Sequence, residues 1–333
     1  MNRTIAVILV LANLSICLAQ TQAADPWIVL EGKDGPGKGK KIVLVSGDEE
    51  YRSEECLPQL GKILSQRYGF HCTIVFAIDP KDGTINPGVT NNIPGLEALQ
   101  KADLMIIATR FRNLPDAQMK FIAEYIESKK PIIGLRTATH AFSLNKSSSY
   151  TKYTWNNSSK EYPGGFGKQI LGETWVSHHG NHGKESTRGI LAKDEIKNPI
   201  LTGIKDGDIW GPTDVYGIRL PLAKEFKPLV FGQVLTGMKK DDPPVTGTKN
   251  DPMMPIAWIG TGERRVFTTT MGSSIDLESA GLRRLLVNAA LWCTGLEKQI
   301  DATSSVEIVG TYKPLPFRGG GHAKGVKPED LLK

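Results

Sequence analysis

Apolar runs and amphipathic stretches alternate along the first half of the chain. Ile42–Val45 is a short, wholly apolar run of the kind buried in a parallel sheet. A polar turn follows Gly47, Asp48-Glu49-Glu50-Tyr51-Arg52, and Ser53 can cap the next segment. There Leu57, Leu60, Ile63 and Leu64 recur at helical spacing, Pro58 suits a first turn, and Gly69 stops the helix. Cys72–Ala77, Leu104–Thr109 and Pro131–Leu135 read as further strands. Ile78–Pro94, rich in Gly, Asn and Pro, reads as a loop, and Pro115 opens a helix through Ser128. This alternation predicts an α/β fold with a doubly wound, mostly parallel sheet.

Past residue 140 the pattern is looser. Thr174–Ser177 reads as a short strand and Asn198–Gly203 as a helical turn; Leu229–Leu235, Pro255–Ile259 and Val266–Thr270 read as strands. The loop Gly237–Met254 is long, charged and Pro-rich, and is expected to cover a site. Leu282, Leu285, Leu286, Ala289 and Trp292 share one face of a closing helix, with Arg283 and Arg284 expected on its solvated face. After Asp301 periodicity ends. Val306–Gly310 fits an edge strand, and Pro314–His322 an extended arm that crosses its own domain, reaches a neighbouring subunit or stays disordered.

The N-terminus reads as an export signal over residues 1–23. Arg3 supplies a positive charge, Ile5–Leu18 is apolar except at Asn13 and Ser15, and Thr21 and Ala23 are small residues at the cleavage positions. The apolar run is shorter than the roughly 20 residues of a membrane span. The expected location is therefore periplasmic, extracellular or at the cell surface, without stable membrane insertion. Residues 24–40 read as a flexible linker. They contain a near miss to a phosphate loop, with Gly39 where a Ser or Thr is required. One domain over 41–300 and a basic arm over 301–333 complete the expected organisation.

Composition adds exclusions. With 40% hydrophobic and 23% charged residues among 333, the chain is neither disordered nor fibrous. Its net charge of +6 is spread along the chain without a polybasic tract, which argues against a nucleic-acid partner. Four cysteines are too few for a disulfide scaffold, and Cys17 leaves with the signal. A Cys56–Cys72 bridge would have to close the ends of a helix about 18 Å long, against the roughly 4.4–6.8 Å between bridged Cα atoms.

In open parallel sheets, ligands bind beyond the carboxyl ends of the strands. The residues there are Asp48, Glu49, Tyr51 and Arg52 after the first strand, and Arg110 and Arg112 after the third. Arg136, Thr137, Thr139 and His140 follow the fourth. The guanidiniums either hold a carboxylate, phosphate or polyol, or pair with Asp48, Glu49 and Glu50 in a structural network. In the second half, His178, His179 and His182 place three imidazoles within five residues. They suit proton transfer or hydrogen bonding, structural packing, or a metal. His178 and His179 would face opposite sides of a strand, which makes a shared ion awkward. Asp214 is the candidate carboxylate partner for a histidine, or a turn cap; Trp210, Trp175, Tyr216 and Tyr51 offer aromatic faces.

Several stretches, in order, carry a family resemblance. They are Pro131-Ile-Ile-Gly134-Leu-Arg-Thr-Ala-Thr139, Leu171-Gly-Glu-Thr-Trp-Val-Ser-His178, and Asn198-Pro-Ile-Leu-Thr-Gly203 ahead of Thr213-Asp-Val-Tyr216. Pro255-Ile-Ala-Trp258 and Arg265-Val-Phe-Thr-Thr-Thr-Met-Gly272 continue the series. Over Lys41–Gly295 the chain resembles the ThuA-like (trehalose-utilisation) domain of the class I glutamine amidotransferase-like folds, in wording closest to a secreted planctomycete-type branch. The resemblance implies a flavodoxin-like sheet and a role in carbohydrate utilisation, including keto-sugars. It does not carry over an amidotransferase: the elbow Gly-x-Cys-x-Gly places its thiol where this chain has Arg136. The family also commonly carries Gly-Leu-His-Ser at Gly134-Leu-Arg-Thr137, and Gly-His at Gly272-Ser273.

The expected function is an exported protein that processes or binds a glycoside or keto-sugar. Arg52, Arg110 and Arg136 would orient hydroxyls or a carbonyl, and His178 or His179, oriented by Asp214, would move protons. Asp48, Glu49, Tyr51, Thr137, Thr139, His140, Trp210 and Tyr216 are the further candidate substrate contacts. The alternatives are a non-catalytic binding or scaffold module that kept the fold, and a metal-dependent hydrolase through His178, His179 and His182. No cofactor is implied, and a homo-oligomer joined through the C-terminal arm is an open expectation.

Overall fold

The computed structural model describes residues 25–332, and the export signal expected over 1–23 lies outside the described residues. The strands of the first part are Trp27–Leu30 (β1), Lys41–Gly47 (β2), His71–Val75 (β3), Leu104–Thr109 (β4) and Ile132–Leu135 (β5). Ser53–Tyr68 (α1) and Asp116–Glu127 (α2) are the helices among them. β3, β2, β4 and β5 are parallel neighbours in that order. Their side chains are apolar on both faces because helices cover both: Leu44 packs in one core with Leu57 and Leu60, and Val45 in the other with Met119 and Ile122.

The second part contains Gly165–Leu171 (α3), Ser177–His178 (β6), Thr187–Leu191 (β7), Trp210–Gly211 (β8) and Tyr216–Gly217 (β9). Phe226–Val234 (β10), Met254–Gly260 (β11), Val266–Thr269 (β12) and Ala280–Cys293 (α4) follow. β12 lies parallel to β5, and beyond it β11, β10, β7 and β8 run antiparallel to one another. The sheet order is β1-β3-β2-β4-β5-β12-β11-β10-β7-β8, with β6 and β9 paired apart as a small ribbon. The sheet is therefore mixed, and the mostly parallel expectation holds only for its first half. The turn between β11 and β12 is far too short for the dozen or more residues of a parallel crossover.

Three further expectations change. The presumed linker carries β1, which pairs antiparallel with β3 and buries Ile28. Gly32, Gly35 and Gly37 in it serve close approach, not flexibility: a Cβ on Gly37 would meet the Phe70 ring at 2.6 Å. Arg283 is buried and ties Val306 O, Leu277 O and Glu278 O to α4, because the segment after α4 folds back over it. Val306–Gly310 consequently runs as a tethered extended segment and not as a strand.

The arm after it crosses its own domain. Tyr312 Oη donates to Ser274 O at 2.7 Å, Leu315 N to Glu55 Oε2 at 2.8 Å, and Arg318 N to Glu50 O at 2.8 Å. Cys56, Cys72 and Cys293 are free and buried. Among the described residues no helix is long and apolar enough to cross a membrane.

Candidate functional site

The carboxyl ends of β2 and β5 face the β6/β9 ribbon, and the polar cluster forms between them. Arg136 leaves β5 with φ 45°, a left-handed conformation rare outside glycine. The turn drives its guanidinium inward, where it is 1% exposed. Nη1 donates to Thr270 O at 2.6 Å and Asp214 O at 2.8 Å, and Nη2 to Asp214 Oδ1 at 3.1 Å. The Tyr216 and Tyr51 rings lie 3.7 and 4.3 Å from its Cζ, a cation–π sandwich. Arg136 is thus a buried clasp; it cannot present hydroxyl-binding donors to solvent as expected.

Asp214 is the hub. Its Oδ2 accepts from His178 Nδ1 at 2.7 Å, and its Oδ1 from His182 Nδ1 at 3.0 Å as well as from Arg136. Burial alone would raise the Asp214 pKa. The His178 hydrogen bond, the Arg136 charge and the His182 hydrogen bond outweigh it and hold the pKa at about 2. An ionised carboxylate only accepts, so Nδ1 carries the proton in both imidazoles. That leaves each Nε2 as the nitrogen that can exchange a proton. His182 Nε2 lies 3.4 Å from Glu50 Oε1, and Tyr51 Oη 3.5 Å from His182 Nδ1. The His178 side chain is 39% exposed and so is open to a ligand.

His179 points elsewhere, with Nε2 at 2.8 Å from Lys249 O in the long loop before β11. The strand alternation removes it from the cluster, and the turn through Gly180 and Asn181 returns His182 to it. The histidine set expected for a metal, His178, His179 and His182, is therefore corrected to His178, His182 and Asp214, whose ligand atoms lie within 4.8 Å of one another.

The remaining candidates divide. Asp48 is buried and structural: Oδ1 accepts from Glu50 N and Tyr51 N, and Oδ2 from Thr137 Oγ1 at 2.6 Å. Ser53 does not cap α1 as expected. Its Oγ accepts from Gly47 N and Asp48 N, pinning the loop after β2. Thr139 Oγ1 bonds within its own turn, 3.2 Å from His140 Nδ1. His140 is buried among Phe111, Trp175 and Tyr216; burial first, then the Arg110 and Arg136 charges, keep it neutral.

Of the arginines, Arg112 is buried on Glu49 Oε2 and the Pro87 and Val89 carbonyls, and Arg52 is buried against Arg318 O. Arg112, with Arg110, follows the structural-network alternative, whereas Arg52 meets Glu54 and main-chain carbonyls and none of the Asp48, Glu49 and Glu50 carboxylates. Arg110 pairs with Glu49 and Glu50 but remains partly exposed above the Phe111 ring. Trp210 is a correction: on edge strand β8 its Nε1 lies 3.3 Å from Ser186 Oγ, beside a separate ≈ 480 Å³ cavity at the start of α4. Ser273, where the resemblance would place an imidazole, is buried with its Oγ accepting from Asp276 N.

Two aromatic residues complete the surroundings. Trp175 lies edge-on to His178 at 5.8 Å and also walls a ≈ 380 Å³ cavity with Trp155, Asn156 and Arg219. Phe317, which the sequence reading did not single out, stacks on Tyr51 at 5.5 Å and meets His182 at 5.2 Å. The one available signal was a single aromatic residue inside a Pro/Gly tract.

No family model and no curated protein matches the chain. Among solved structures, one described as a ThuA-like protein from Parabacteroides merdae is similar at 15% identity and a TM-score of 0.50, covering 85% of this chain and 96% of that one. This chain therefore has a ThuA-like α/β fold. The carbohydrate deacetylase Agd3 is matched at 14% identity over 78% of this chain and 32% of that one, with a TM-score of 0.38. PurLQS from Thermotoga maritima is matched at 11% identity over 76% and 98%, also at 0.38. Both are too dissimilar to inform the site.

Proposed function

We propose that this chain is an exported member of the ThuA-like family, with a flavodoxin-like sheet at its core, and that it binds a carbohydrate or keto-sugar and moves a proton on it through His178. The observation that carries the reading is the 2.7 Å bond between His178 Nδ1 and an ionised, buried Asp214. The carboxylate fixes the ring and stabilises the imidazolium formed when Nε2 takes a proton from a hydroxyl or from a carbon beside a carbonyl. Arg136 anchors the carboxylate from behind. Partly exposed Trp175 and Arg110 supply a face and donors suited to a polyol, while Tyr51 is buried between Arg136 and Phe317.

Glutamine hydrolysis is not part of the proposal. No thiol stands at Arg136, and burial pushes the Cys56 thiol well above its ordinary pKa, away from the reactive thiolate.

Calorimetric titration with a panel of sugars and 3-keto-sugars, together with product analysis, tests the reading. Wild type is expected to bind and turn over a member of the panel. His178→Ala is expected to lower turnover by about two to four orders of magnitude with folding intact, and Asp214→Asn to lower it likewise while also costing stability through the uncompensated Arg136 charge. Absence of binding to wild type sinks the carbohydrate reading. Binding without turnover, unaffected by His178→Ala, would instead favour the non-catalytic module.

A second reading has its own observation: two imidazoles and a carboxylate converge closely enough to ligate one divalent ion. Against it, both Asp214 oxygens already accept hydrogen bonds, Oδ1 from two donors. Stoichiometric zinc or another first-row metal in elemental analysis of the purified protein, lost in His182→Ala, would establish this reading over the first.

A further inference from the structure

The arm is fastened to the loop that builds the site. Arg318 N donates to Glu50 O at 2.8 Å, Gly320 N to Glu49 O at 3.0 Å, and the buried Arg52 guanidinium to Arg318 O. Upstream, Leu315 is held by Glu55 and by Ser274 Oγ; downstream, Ile85 N donates to Val326 O. Between these anchors Phe317 is the only side chain from Pro316 to Gly321 that is not exposed. It stacks 30° from parallel on Tyr51 and meets His182 edge-on.

Gly319-Gly320-Gly321 follows at once. Gly320 is left-handed at φ 68°, and a Cβ on Gly321 would lie 2.5 Å from Arg52 Nη2. Up to Gly321 the segment is therefore held by a few main-chain hydrogen bonds and one ring, while buried His322 seats the chain just past the glycines. Segments with so few buried contacts open locally without global unfolding.

We propose that Phe317 is the movable aromatic wall of the His178–His182–Asp214 site. It would contact the apolar face of a bound sugar ring, and the arm would swing on its glycines to admit that ring. The ligand-contact half rests on the proposed function; the hinged wall does not. In the closed state Phe317 shields one face of His182, and the Arg52–Arg318 contact sets how closely the arm seats.

Native-state hydrogen exchange of the full chain, with mass analysis of peptides covering 314–326, tests the wall. In wild type these amides are expected to exchange faster than those of β2 and β4 but slower than an unprotected chain. Phe317→Ala is expected to speed exchange at Arg318 and Gly320 by about three- to tenfold, the worth of one aromatic pair. Gly321→Leu, which removes no ring but displaces Arg52 Nη2 from Arg318 O, is expected to do the same, and Phe317→Trp to preserve protection. Exchange unchanged within twofold in both disruptive variants overturns the wall.

Calorimetry tests the contact, using whichever panel sugar wild type binds. Phe317→Ala is expected to weaken affinity about three- to tenfold. Equal affinity in Phe317→Ala and wild type overturns the contact. If wild type binds no sugar, the proposed function and the contact fall together, and the exchange result alone decides the wall.

Discussion

At the scale of single residues, charge burial decides the outcome. Arg136 and Asp214 are both removed from water and form an ion pair, although Arg136 Nε is left without a hydrogen-bond partner. Arg136→Ala would leave Asp214 buried with only imidazole partners, and a loss of about 3–5 kcal/mol in urea unfolding is expected. Asp214 also sets an acid limit. Its folded pKa of about 2 lies below its ordinary value of 3.8, so its stabilisation is present above about pH 4 and is lost as pH falls towards 2. Asp214→Asn should flatten that part of the stability profile.

Glu54 behaves oppositely. Both its oxygens are buried without hydrogen-bond partners, and burial pushes its pKa up to about 8, against the nearby Arg52 charge. The folded state therefore keeps a proton that the unfolded chain releases, and stability falls from about pH 4.5 until the pH passes 8. Glu54→Gln is expected to match wild type at pH 4.5 and to exceed it at pH 8 by roughly 2–4 kcal/mol in denaturant titrations.

At the scale of elements, close approach outranks propensity. Gly167 sits inside α3, where alanine ordinarily stabilises a helix by about 1 kcal/mol. Here a Cβ would lie 2.0 Å from Thr139 O, in the turn that follows Arg136. Gly167→Ala is therefore expected to destabilise by about 1–3 kcal/mol, read as a lower urea midpoint with an unchanged slope.

The same distinction explains what the sequence revealed. β2, β4, β5 and α4 were legible because an apolar run or a 3.6-residue period is written locally. β1 was missed although Trp27-Ile-Val-Leu30 is an apolar run as short as that of β2, because the Gly/Lys tract that follows it looked like a linker throughout. β6 and β9 are two residues each, too short to show any period, yet they bring His178 beside Tyr216.

At the scale of the whole molecule, the site lies on the seam between two halves. Arg136 comes from the parallel half, and His178, His182 and Asp214 from the half beyond it. The histidine–carboxylate pairing was foreseeable from residue types alone. The choice of His182 over His179 required the turn geometry, and Phe317 required knowing where a distant arm lands. The rim arginines looked like ligand donors because a sequence shows their charge but not the backbone carbonyls that consume it.

The position of β12 has a consequence for a chain made from one end. β5 gains its second neighbour only when Val266–Thr269 arrives, roughly 130 positions after Leu135. At about 5–20 residues per second, a ribosome leaves that apolar edge unpaired for about ten seconds. Open edges of this kind recruit other chains. Chains ended near residue 260 are expected to keep the first half's helices and strands yet pellet on centrifugation. The full-length chain should escape that fate in proportion to how long a holdase covers the nascent edge.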